Sequence, residues 1–153
     1  MKCALPELPK YLVLLAAALA IPPVGAAQHV WQADLQIKSL TVSQPNGKLT
    51  ARFVVTADIG EAMAPTVEVM LPPGVGIVEM GPGCRPGANP PGVSVLRARV
   101  LCTVGNLAPR MSRELYVITS SPPANASTEF GVIALSDTPD PRPGNNFAQR
   151  KVP

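Results

Sequence analysis

Two cysteines, Cys84 and Cys102, stand eighteen positions apart in a stretch, MGPGCRPGANPPGVSVLRARVLCTVGNL, that is rich in proline and glycine. Three chemistries compete for such a pair. A metal site wants four ligands at CxxC-like spacing, and the only imidazole in the chain is His29, far from both. A redox pair usually reads CxxC beside a βαβ pattern, and neither occurs. A structural disulfide fits the neighbours better. Cys102 shares the inward face of its alternating segment with Leu96, Ala98 and Val100, and Cys84 closes the turn GPGCRPG. A bond between them would stabilise the fold by about 3 kcal/mol in the chain-entropy estimate.

Other residues offer thinner chemistry. Asp137, Asp140, Asn145 and Asn146 bring hard oxygens close together and raise calcium as a possibility. The spacing is not that of an EF-hand, however, and SDTPDPRPGNN reads equally as turn chemistry, with Asp and Asn bonding their own backbone. His29 becomes interesting if the chain is cut after Ala26. A free amine, two amide nitrogens and a third-position imidazole would then suit Cu(II) or Ni(II), whereas a cut after Ala27 destroys that arrangement. The methionines form no MxxM cluster, and the aromatic residues are too few to build a sugar-stacking platform. No GxSxG, HExxH or phosphate-binding glycine loop is present. No pair of carboxylates is singled out for acid–base work. An enzyme is not expected, and no cofactor is implied.

The disulfide reading requires an oxidising compartment, and the first residues supply one. Lys2 and Lys10 flank an apolar run from Tyr11 to Ile21, followed by Pro22-Pro23 and the small residues Gly25-Ala26-Ala27. That is the pattern of a secretory signal peptide. The run is too short to span a bilayer, which needs about 20 apolar residues, so no stable membrane insertion is expected after cleavage. Residues 1–27 are assigned to the signal peptide, 28–33 to an N-terminal tail and 34–153 to one domain. Cleavage removes Cys3 and leaves two cysteines, an even number. It also lowers the formal charge from +3 to +2 by removing Lys2, Lys10 and Glu7. So small and scattered a charge does not suggest nucleic acid, which wants a basic face.

The elements that must position these residues are short. With 19 prolines and 12 glycines falling between apolar segments, long helices are excluded. Period-two alternation marks Asp34–Val42 (with a phase slip near Ser39), Lys48–Asp58, Thr66–Leu71, Ser94–Cys102, Glu114–Thr119 and Thr128–Leu135. Gly76–Met80 is a shorter candidate. About seven such strands predict an all-β, immunoglobulin-like β-sandwich.

DLQIKSLTV, DIGEAMAPTVEVMLPPGVGIVEM, a cysteine before a glycine-rich loop, VLCTVGNLAPRMSRELYV and SDTPDPRPGNNFA occur in that order. This arrangement resembles the immunoglobulin-like repeat of bacterial surface and exported proteins known as domain of unknown function eleven. It is also similar to the cell-adhesion-related domain of bacteria. The resemblance spans about residues 34 to 150. It implies a sandwich used as a spacer, stalk or adhesion module, with an unknown protein or cell-envelope partner. This chain departs from it in being a single copy, in showing no wall-anchoring tail and in ending on a short last strand, FAQRKVP. The expected contact surfaces are the edge beside that strand and the Cys84–Cys102 loop with Arg85. An exported copper- or nickel-handling protein built on His29 is the alternative function.

Overall fold

The computed structural model describes residues 31–88, 97–124, 126 and 128–152. The expected signal peptide, His29 and residues 89–96 of the loop between the cysteines lie outside them. Among these residues nine strands are present: β1 (Leu35–Ser43), β2 (Leu49–Ala57), β3 (Thr66–Pro73), β4 (Ile77–Met80), β5 (Cys84–Pro86), β6 (Arg97–Thr103), β7 (Ser112–Thr119), β8 (Glu129–Leu135) and β9 (Phe147–Lys151). They form two antiparallel sheets, ordered β1-β2-β7-β4 and β5-β6-β3-β8-β9. The fold is an all-β sandwich. Its first sheet runs in the ABED order of immunoglobulin domains and β3-β8-β9 in the CFG order. The β5–β6 hairpin is added beside β3.

The alternation in the sequence fixes the faces. Leu49, Ala51, Phe53, Val55 and Ala57 of β2 are all fully buried, as are Val67, Val69 and Leu71 of β3 and Val100 and Cys102 of β6. Phe130, Val132 and Ala134 of β8 and Leu115 and Val117 of β7 complete one continuous core. The phase slip near Ser39 is real: the β1–β2 register shifts between Ile37 and Ser39, a bulge that lets one strand change the face it presents.

Nine strands stand among the described residues where alternation marks about seven, for a physical reason. β5 is three residues containing a proline, and β9 reads FAQRK with only Ala148 partly buried. Both are edge strands. An edge strand carries little of the apolar alternation by which strands are recognised. The body also begins earlier than Asp34. Ala33, at the end of the expected tail, is fully buried, and its N–H donates to the Pro139 carbonyl at 3.1 Å.

Strand order gives the molecule two flanks and two ends. β4 and β5 lie on one flank, β1 and β9 on the other. One end gathers residues 31–34 with the β2–β3, β6–β7 and β8–β9 loops. The other holds the β1–β2 hairpin turn and the β3–β4 and β7–β8 loops.

Candidate functional site

Cys84 and Cys102 are disulfide-bonded and face each other directly in the β5–β6 ladder. The approach to Cys84 is a tight turn. The Cys84 N–H donates to the Gly81 carbonyl at 3.2 Å, with Pro82 and Gly83 at the central positions and Gly83 at φ +77°. Proline then glycine with positive φ is the requirement of a type II turn. A side chain at Gly83 would also meet the Thr103 carbonyl oxygen at 2.6 Å. This turn carries the chain from one sheet to the other, and the disulfide fastens its exit. The bonded sulfurs are half-buried at Cys84 and buried at Cys102, a structural rather than a reactive position. Arg85 is exposed beside them.

The acidic turn SDTPDPRPGNN does something the sequence does not reveal. Both oxygens of Asp140 accept backbone N–H groups, Oδ1 from Arg142 at 2.7 Å and Oδ2 from Leu35 at 2.8 Å. The first bond is the local turn chemistry expected of aspartate. The second crosses to the start of β1. Arg142 pairs in turn with Asp34, whose side chain is fully buried, and Asn145 Nδ2 donates to Asp34 Oδ1 at 2.8 Å. Asp34 also holds the β2–β3 loop, since its N–H donates to Ile59 O and its carbonyl accepts from Asp58 N. The Arg142 guanidinium thus stands between the Asp34 and Asp58 carboxylates. Asp137, the other calcium candidate, is exposed. No group of three or more His, Cys, Asp or Glu side chains is placed to hold a metal among the described residues.

Around this latch the end of the sandwich is knitted by bonds between loops. Ala62 and Leu107 exchange backbone hydrogen bonds at 2.9 and 3.0 Å. Met63 N–H donates to Thr138 Oγ1 at 3.0 Å, Ala64 N–H to Asn106 Oδ1 at 3.0 Å, and Ser136 Oγ to Met63 O at 2.9 Å. Thr138 Oγ1 also donates to Glu61 O. Ala64 at φ +44° and Arg110 at φ +65° hold left-handed conformations that residues with a Cβ rarely adopt. Such strain persists only where the surroundings impose it.

This braced end carries an apolar surface. Of the large apolar side chains that are exposed, Trp31, Ile59, Met63 and Met111 project from its loops, and Leu135 and Phe147 stand where β8 ends and β9 begins. Among the described residues Val78 alone lies elsewhere. Trp31, Glu61, Met63 and Thr138 line a hollow of about 260 Å³. The end is also acidic: among the described residues Asp34, Asp58, Glu61, Asp137 and Asp140 outnumber Arg110, Arg142 and, near the start of β7, Arg113. Charges that look scattered along the chain are segregated by the topology. Sequence reasoning missed this because the four segments involved are far apart in the chain.

Elsewhere polar contacts are few. On the first sheet Tyr116 donates to Glu79 Oε1 at 2.8 Å, with the Arg52 guanidinium 5.7 Å above its ring. The hydrogen bond to Glu79 raises the Tyr116 pKa above its ordinary value, with burial and the Glu79 charge adding to it and Arg52 opposing. Phe53 and Phe130 are buried core residues and offer no stacking surface.

No helix among the described residues is long and apolar enough to cross a membrane. No known family model matches the chain, and no curated protein does. Among solved structures, one described as "AvmM Catalyzes Macrocyclization in Alchivemycin A Biosynthesis" aligns over 80% of this chain and 86% of its own, at 12% identity and a TM-score of 0.36. So distant a likeness has no bearing on what this chain does.

Proposed function

We propose that this chain is an exported, non-catalytic immunoglobulin-like module that works by protein contact in adhesion or in structural support of the cell envelope. The observation that carries this reading is the loop end. Three connections are locked together by side-chain-to-backbone bonds, and on that rigid base stand exposed Trp31, Ile59, Met63 and Met111. Loops positioned by a rigid scaffold are where recognition concentrates. Aromatic residues and methionine are enriched at contact surfaces. Export is supported by the Cys84–Cys102 disulfide, a bond that persists in oxidising compartments. The signal-peptide pattern of residues 1–27 points the same way.

A photo-crosslinking residue placed at Met63 or Met111 in the producing cell tests the reading, with Val78 on the opposite side as the control. Discrete adducts are expected from the two loop positions and not from Val78. Adducts from Val78 alone, or from none of the three, would overturn it.

A further inference from the structure

The segregation of charge continues at the far end of the sandwich. There the β1–β2 turn, Gln44 to Lys48, is exposed throughout and carries Lys48, and β9 ends on Arg150 and Lys151. Two carboxylates lie near that end among the described residues, Glu129, paired in the ladder with Lys151, and Glu79, paired with Ile118 and bonded by Tyr116, so the three cations outnumber them. One end is therefore acidic and apolar, the other basic and tapering to a hairpin tip. The formal charge of the whole chain, +3, conceals this polarity.

We infer that the loop end accepts the basic end of a second copy of this chain, so that copies associate head to tail. The inference rests on the proposed contact role of the loop end and names its partner. The hollow at Trp31, Glu61, Met63 and Thr138 fits the chemistry of a lysine or arginine side chain. Glu61 supplies the opposite charge, Met63 a surface for the aliphatic stem, and Trp31 a ring face for the cation. Asp58 and Asp137 extend the negative rim. Lys48, on its protruding turn, is the side chain best placed to enter. An acidic pocket and a basic knob at opposite ends make a heterologous contact, and such contacts continue into open chains unless the rotation happens to close a ring. Because the surfaces are exposed, the attraction is screened by salt, and association is strongest at low ionic strength.

Sedimentation of the protein as the cell delivers it provides the test. Concentration-dependent species larger than a monomer are expected at about 20 mM salt, reverting to monomer near 0.5 M. Glu61→Lys and Lys48→Glu should each weaken association about tenfold or more, given the steep cost of like-charge juxtaposition. Mixing the two variants is the discriminating step. Each retains one intact end, so an equimolar mixture should recover association through Lys48 of one variant and Glu61 of the other, and the junction between the two altered ends also pairs opposite charges. Three results would overturn the inference: a monomer at every salt concentration, parental association by Lys48→Glu, or a mixture no better than its components. A monomer that still gives Met63 adducts with another protein would discard this partner while leaving the contact role in place. Absence of those adducts would remove the contact role itself.

Discussion

The two flanks of this sandwich are fastened by different physics. Along the β4/β5 flank the backbone itself crosses between the sheets at the Gly81–Cys84 turn, and the Cys84–Cys102 disulfide fastens the exit of that turn to β6 within the second sheet. Along the β1/β9 flank no disulfide or strand ladder joins the sheets among the described residues. β1 packs against β8 and β9, and a polar latch ties the start of β1 to the β8–β9 loop through Asp34, Asp140, Arg142 and Asn145. A covalent fastening constrains the unfolded chain as well as the folded one. A polar latch acts only once the sandwich exists, because its members are more than a hundred positions apart. The first flank is therefore the robust one, and the second depends on every partner being present.

The largest break should come from the covalent side. Replacing both Cys84 and Cys102 by alanine should cost about 3 kcal/mol in the loop-entropy estimate, read as a lowered urea midpoint. A loss below about 1 kcal/mol would mean that the β5–β6 pairing already holds the loop, and that this flank owes little to its bond. Next comes the latch, where the two partners are unequal. Asp34 is wholly buried whereas Arg142 is 58% exposed. Arg142→Ala leaves a buried carboxylate with less compensation and should cost about 2 kcal/mol, reduced from the fully buried case by water reaching the vacated space. Asp34→Ala removes the buried charge itself and leaves a guanidinium free to turn toward Asp58, so it should cost about 1 kcal/mol. Equal costs, or the reverse order, would show that the latch is not governed by burial of the carboxylate.

The smallest effect concerns the pair that clasps β4 to β7 on the covalent flank. Tyr116 donates to Glu79, which lifts its pKa above the ordinary 10.0. A raised folded-state pKa means that this stabilisation is present at lower pH and is lost as pH rises through the folded value. Glu79→Ala should bring the tyrosinate absorbance transition back down toward 10.0 with little change in stability at neutral pH. A transition that does not move would show the hydrogen bond to be unimportant in solution.

The contrast between flanks also explains what could be read in advance. The covalent fastening was legible from one dimension: two cysteines on either side of a proline-glycine loop, one on an inward strand face, leave few alternatives. Inward faces of β2, β3, β6 and β8 were equally legible, because burial on one side imposes period two. The polar latch was not. Local reading of Asp140 as a turn residue is right for its bond to Arg142 and silent about Leu35, because a long-range partner of a carboxylate leaves no periodic trace. Asp34 illustrates the same gap: alternation places it at the head of the Asp34–Val42 segment but does not say that the fold closes over its carboxylate. Strand β5 escaped notice, and β9 was legible only through the family resemblance, because edges need not be apolar. The acidic loop end was hidden because it exists only once four distant segments are brought together.

The route of the backbone through the two sheets has a mechanical corollary. Residue 31 sits at the loop end, whereas β9 runs away from that end and Val152 is tied at the other by bonds to Thr128. Tension applied between these two points would slide β1 along β2 and β9 along β8, loading all rungs of each ladder together rather than peeling them one at a time. Sandwiches threaded in this way resist pulling far better than hairpins opened from a tip.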